Sequence, residues 1–427
     1  MDKKLIDVVV PHDQLKNDRM QAIQNFNTQK KREKVKTVFI TIVFSIATLL
    51  FTLLTLSGTA PSVSSFISKI PGFKPIVSLM EEDKGLQDII ENEYFQRIDG
   101  SLKVNGIDVK LLGVIADEYN MIIAFEALSE DGEKIRPNDF TVLQNGEVMQ
   151  VKQSYGWDFG EDELIQDIIR ISSDKPIAYG ISKFELVLNV WGDLVTSVRL
   201  PFTVKENILK TKKIIINEYM SFEGQRILVK SIRVSPIRTE IIFEVDESND
   251  FQILQLGYIE LIDETGETWG KIQNGLTAEG SPRDGEFSYF LQSYYFRYPE
   301  TLTLKIGDVH ALPKGKDSFI VDVPNERIAN AEHLDVWNIS IRNNELLIQQ
   351  KNKSSITTSE LVSEFIDAKG QPFYSGSTAF SSTEEDNETV ITVPQDEMIQ
   401  YPLTAVIRTY PNIIGDEQQL SIPIQND

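Results

Sequence analysis

The chain has 427 residues, 41% hydrophobic and 25% charged, enough for about three domains of ~100–150 residues and a composition that folds. It has no cysteine and three histidines, His12, His310 and His333, which excludes disulfides, thiol catalysis, Cys-bearing zinc sites and multi-histidine centres. A net charge of −22 argues against a nucleic-acid partner.

The first 36 residues form a short basic stub with an excess of four positive charges. LIDVVV near its start is broken by Pro11, and from Asp13 the pattern is helical. Leu15, Ala22, Ile23 and Phe26 share one stripe of a 3.6-residue period, with Arg19 inside it. One apolar stripe cannot make a core by itself, so another surface must cover it. Periodicity leaves two covers open: the inner leaflet of a membrane, or a groove on a cytoplasmic partner. These five residues are the expected partner-binding positions. Lys30, Lys31, Arg32, Lys34 and Lys36 follow as a basic cluster suited to anionic lipid.

No charge occurs from Thr37 to Ser68, and Val38–Leu56 is almost wholly apolar. Nineteen helical residues reach about 28 Å, close to the ~30 Å hydrocarbon core of a bilayer, which predicts a transmembrane helix over 37–57. Basic residues crowd its N-terminal side, and the remainder of the chain carries a large acidic excess. The positive-inside rule therefore predicts a single-pass cell-membrane protein, N-terminus cytoplasmic and C-terminal ectodomain extracellular. A cleaved signal peptide is the rival reading, with GTA before Pro61 as its weak cleavage site; the 36-residue leader and the length of the apolar run oppose it.

Residues 58–96 read as a Ser/Pro/Gly connector followed by a helical stretch around Ile76–Tyr94, weakened by Gly85. Beyond it the pattern is of strands, in three similar units at 97–205, 206–326 and 327–427. The hairpin VKLLGVIADEYNMIIAFEA (Val109–Ala127) aligns with VKSIRVSPIRTEIIFEV (Val229–Val245), and Val336–Gln349 is a weaker third copy. Each unit then has an acidic glycine turn, at Leu128–Ile135, Leu261–Trp269 and Phe365–Phe373, of the kind hairpins use. Each closes with an alternating strand, Leu200–Val204, Phe319–Val323 and Leu420–Ile424. The expected fold is mainly β: one N-terminal transmembrane helix, then tandem antiparallel β-sandwich-like (Ig-like) extracellular domains.

No motif of nucleotide binding, nucleophilic catalysis or zinc hydrolysis is present, so no catalytic, cofactor-binding or metal residue is assigned and no enzyme activity is expected. Ser172–Lys175 has an SxxK spacing without its companion motifs. The acidic clusters Asp158–Glu163 and Glu384–Glu388 lack the ordered spacing of a calcium loop and read as solvated turns, a weak calcium site being the sharper alternative. His310 and His333 read as surface histidines without a nucleophile partner. Trp157, Trp191, Trp269 and Trp337 read as core or sheet-edge packing, a carbohydrate platform being the sharper alternative.

Val10–Lys36, the IPGFKPI connector (Ile70–Ile76), DKGLQDIIEN (Asp83–Asn92) and Val104–Glu126 carry a resemblance over roughly residues 5–130. The chain resembles single-pass membrane proteins of Gram-positive bacteria of the anti-sigma-factor-like type, whose ectodomains have no assigned function; 206–326 resembles a second module that accompanies the first. The resemblance implies a regulator of an extracytoplasmic-function sigma factor. The stub differs from the multi-helix domain usual in such regulators and lacks their His/Cys zinc pattern, and a docking role, including on a second membrane protein, fits its size. The function expected is a non-catalytic envelope sensor signalling from a β-rich ectodomain, with its cell-wall or envelope ligand, to a cytoplasmic partner. The alternative is a structural or adhesive surface protein that binds cell-wall polymer or a neighbouring protein.

Overall fold

Short β-branched and aromatic runs punctuated by turn residues become antiparallel strands, and the described part of the chain is mainly β. The computed structural model describes residues 83–424 apart from 156–161, 181, 193, 273–276, 352–360, 375, 383–385, 394–395 and 397. The stub, its stripe and basic cluster, and the span expected at 37–57 lie outside the described residues. Among the described residues no helix is long and apolar enough to cross a membrane. The chain divides into residues 1–68 and 69–427, and all that follows concerns the second unit.

One helix of the expected stretch is described, α1 (Lys84–Glu91). Asp83 caps it, its carboxylate accepting the N–H of Gly85 at 2.9 Å and of Leu86 at 3.3 Å. The helix stops before Tyr94, because Asn92 closes the last turn through the Asp88 carbonyl. Gly85 lies in its first turn and is required there: a Cβ would come within 2.7 Å of the Ser293 backbone.

The first sandwich contains β1 (Gln96–Val104), β2 (Ile107–Ala116), β3 (Asn120–Ser129), β4 (Arg136–Gln144), β5 (Glu147–Val148), β6 (Lys152–Tyr155), β7 (Leu164–Ser172), β8 (Phe184–Trp191) and β9 (Val195–Phe202). One sheet has the order β1-β2-β3-β7-β6 and the other β5-β4-β8-β9. Alternation does the packing. Phe184, Leu186, Leu188 and Val190 of β8 and Val198, Leu200 and Phe202 of β9 enter the core between the sheets, while their neighbours face outward.

The second sandwich repeats this plan with β10 (Lys212–Phe222), β11 (Gln225–Val234), β12 (Thr239–Val245), β13 (Phe251–Asp263), β14 (Thr268–Trp269), β15 (Ala278–Gly280), β16 (Glu286–Leu291) and β17 (Thr301–Pro313). Its first sheet has the order β10-β11-β12-β16-β15. The aligned hairpins of the repeat occupy equivalent places: β2–β3 and β11–β12 each contain a bulge, and each sends a fully buried phenylalanine, Phe125 or Phe243, into its core.

The third sandwich is built from β18 (Ser318–Asp322), β19 (Arg327–Ala329), β20 (Trp337–Arg342), β21 (Glu345–Lys351), β22 (Val362–Ile366), β23 (Pro372–Phe373), β24 (Ser377–Ser382), β25 (Asp386–Thr392) and β26 (Leu403–Ile407). Its sheets have the orders β20-β21-β25-β24 and β19-β18-β26-β22-β23. The chain then returns to the second sandwich through β27 (Ile413–Ile414) and β28 (Gln418–Pro423), both paired with β17.

Two closing strands are therefore exchanged relative to expectation. Phe319–Val323 was expected to close the second unit; it pairs with β26, and Phe319 and Val321 enter the third core. Leu420–Ile424 was expected to close the third; it pairs with β17, and Ile422 enters the second core. Neither 206–326 nor 327–427 holds all the strands of its sandwich. Alternation specifies which side chains face a core, but not which of two exposed sheet edges the strand will join.

Two of the three acidic glycine turns are hairpins, pairing Leu261 with Trp269 and Phe365 with Phe373. The first, at Leu128–Ile135, instead carries the chain from one sheet of the first sandwich to the other. His310 is a further correction. It is 4% exposed inside β17, and its Nδ1 lies 3.0 Å from the Tyr410 carbonyl oxygen, so it is a packed histidine rather than a surface one.

Candidate functional site at the junction of the first two sandwiches

The β2–β3 turn reads ADEYN and the equivalent β11–β12 turn reads SPIRT, and the two turns meet. Asp117, fully buried, organises its own turn by accepting the N–H of Tyr119 at 2.9 Å and of Asn120 at 2.7 Å. Its second oxygen accepts the Ile237 N–H, 3.3 Å away in the facing turn. The segment joining the sandwiches is tied to the same place. Tyr94 Oη donates to the Ala116 carbonyl at 2.6 Å and accepts the Leu209 N–H at 2.9 Å, and Glu118 accepts the Thr211 N–H at 2.7 Å. Burial pushes the Tyr94 phenol up to about 12, so it stays a donor across the physiological range.

Helix α1 precedes the first sandwich in sequence yet docks on the second. Arg297 donates to both oxygens of Asp88 at 2.6–3.0 Å, and Asp88 is only 2% exposed. Lys84 Nζ donates to the Thr268 carbonyl at 3.1 Å. A bidentate guanidinium–carboxylate pair with one partner buried is a directional, strong attachment. The segment that follows the connector is thus fastened across both sandwiches.

Two adjoining cavities open at this junction. The larger, of 330 Å³, is polar and is lined by Tyr119, Asn120, Arg233, Glu240, Ser288 and others. Its charges are largely paired: Arg233 lies 3.2 Å from Glu240, and Lys230 beside it is held between Glu244 and Glu286 at 2.6 and 2.5 Å. Lys152 of the first sandwich binds Asp174 at 2.8 Å and crosses to Glu279 of the second. The smaller, of 190 Å³, has walls of Met121, Ile122, Ile171, Ile237 and Ile272, and its charged lining is Lys152, Arg170 and Arg238. Arg238 belongs to both cavities and lies 3.8 Å from the Phe290 ring centre. Burial pulls the Arg170 and Arg238 guanidiniums down from their ordinary range, opposed by Asp83 and Asp167 for the first and by Asp117 and Glu240 for the second. Asp83 in turn is raised by burial, opposed by Arg170.

Residues 30–128 match the profile of a domain of unknown function, DUF4179. Residues 211–342 match a family of unknown function, DUF5643. The two matches contain the two aligned hairpins, and so the two turns that form the junction. No curated protein matches the chain. Among solved structures, a conserved domain protein from Bacillus anthracis is 14% identical, covering 55% of this chain and 84% of its own, with a TM-score of 0.37. An uncharacterized protein from Listeria monocytogenes EGD-e is 9% identical over 68% of this chain and 29% of its own, with a TM-score of 0.14.

The partner-binding positions predicted from sequence, Leu15, Arg19, Ala22, Ile23 and Phe26, and the flanking cations Lys30, Lys31, Arg32, Lys34 and Lys36, lie outside the described residues, as does Trp157. Trp269 and Trp337 pack in cores, whereas Trp191 is 46% exposed at the end of β8 with Arg136 stacked 4.6 Å from its ring centre. Sequence reasoning did not single out Lys152, Arg170 or Arg238. Arg238 had a signal, since it stands in the turn where the two repeats diverge. Arg170 and Lys152 had none, because the residues that complete the cavity around them, Ile237, Arg238 and Ile272, come from the second sandwich.

Proposed function

We propose that the chain is a non-catalytic, membrane-anchored envelope sensor of the anti-sigma type, with an Ig-like β ectodomain outside and its N-terminus in the cytoplasm. The observation that carries this reading is the charge-free run Thr37–Ser68, set between a basic stub with one apolar stripe and a strongly acidic remainder. The attachment of α1 supports it. A rearrangement of the first two sandwiches would move the segment that leads back to the span, and through it alter exposure of the Leu15–Phe26 stripe. The partner would be a sigma factor or a second membrane protein.

In-cell crosslinking of the full chain tests this against a Leu15→Asp, Ile23→Asp, Phe26→Asp variant that keeps the span and the basic cluster. Capture of a sigma factor or another cytoplasmic protein by the native stub alone is the expected result. If both versions capture the same envelope components and nothing cytoplasmic, the stub is only an anchor, and the adhesive reading replaces the sensor.

A further inference from the structure

The smaller junction cavity has an unusual balance for so acidic a chain. Its charged lining is entirely cationic, while the rest of the lining is apolar, amide or hydroxyl. Lys152 is occupied by Asp174 and Glu279. Arg170 and Arg238 are not: among the described residues, no oxygen accepts a hydrogen bond from either guanidinium. Each carries five N–H donors in a planar fork and stands half-buried. The nearby carboxylates make no hydrogen bond to either guanidinium. Asp83 caps α1 through Oδ1 while its Oδ2 has no hydrogen-bond partner, Asp117 binds its own turn and Ile237, and Asp167 accepts the Ile168 N–H at 2.6 Å. Their donors remain accessible to solvent and have no protein acceptor, so an anion entering the cavity gains charge-assisted hydrogen bonds without displacing a protein partner.

We propose that this cavity binds a small organic anion with an apolar body, its charged group between Arg170 and Arg238 and its body against Met121, Ile171, Ile237 and Ile272. The volume of 190 Å³ sets the size, since drug-sized ligands occupy pockets of about 300–1,000 Å³. Arg170 comes from β7 of the first sandwich and Arg238 from the β11–β12 turn of the second, so the ligand bridges the two. This assignment stands whether or not the chain signals to a cytoplasmic partner.

The test is fluorine NMR on the full chain in nanodiscs, with 4-fluorobenzoate as probe, 4-fluorophenyl phosphate as a second headgroup and 4-fluorobenzylamine as the opposite charge. The native chain should broaden the benzoate or phosphate resonance saturably, with displacement by the unlabelled anion. Arg170→Gln and Arg238→Gln should each weaken it at least about tenfold, as loss of a charge-assisted contact implies. The amine should show only the broadening given by empty nanodiscs. Equal binding by the amine, anion binding untouched by both substitutions, or no saturable binding of either anion overturns the proposal. Arg170→Met and Arg238→Met separate folding from binding. Both should stay folded at the temperature of the binding measurement, as circular dichroism reads, and collapse of both would make the guanidiniums structural and overturn the site.

Discussion

Asp88 and Arg297 are separated by more than two hundred positions, yet they decide where helix α1 sits. Replacing Arg297 by Ala leaves a buried carboxylate without its cation and should cost about 2 kcal/mol. Denaturant titration measures the loss, and hydrogen exchange should place it in 84–91; unchanged exchange there would show that α1 is held by its apolar face alone. Asp167 offers a pH handle. Burial raises its carboxyl to about 6, opposed by the Ile168 N–H and the nearby Arg170. A folded-state value above the unfolded one favours the protonated fold, so this contribution is fully present below the unfolded value, about 4, and is lost as pH rises through 6. Asp167→Asn should flatten the fall in melting temperature between pH 4 and 6. A slope identical to that of the native chain would assign the effect to other groups.

At the scale of elements, α1 is short, and eight residues do not hold a helix by propensity alone. Its cap and its docking hold it. Asp83→Ala removes the two cap bonds and should cost about 1 kcal/mol, read by denaturant titration. Gly85→Val should do more than propensity implies, because the side chain would meet the Ser293 backbone and lift the helix from the second sandwich. Faster exchange at Leu86–Ile90 in that variant, with the strands unaffected, is the expected pattern. Strands and tight turns were the most legible elements, because alternation and turn chemistry are local. The Asn105–Gly106 turn joins β1 and β2 with both residues at positive φ, as the NG pair in the sequence suggests. The acidic turn at Leu128–Ile135 has a composition that suits a hairpin reversal and a crossover equally well, and only the pairing of β4 with β8 shows that the chain changes sheets there.

For the whole molecule, the exchange of β18 and β28 has the widest consequence. The second sandwich is completed by residues that follow the entire third one, and two chain segments join them, around 314–317 and 408–412. The C-terminal strand is then a structural member of the second sandwich. Ile422→Asp puts a charge into the second core and should cost about 3 kcal/mol or more. Its exchange protection should fall in β13 and β17 before β21 and β25. The opposite order would place Ile422 in the third core, as sequence order alone suggests.

The amino-acid sequence by itself determined the β class, the repeated hairpins, the strand faces and the acidic, cysteine-free character of the chain, because each depends on neighbours a few residues apart. The expected span and stub were likewise read from local charge and apolar length. Tertiary structure alone decided which edge each closing strand joins, that α1 docks on the second sandwich, and that Lys152, Arg170 and Arg238 surround one cavity. Those outcomes depend on surfaces brought together from distant parts of the chain, and no local period or spacing encodes them.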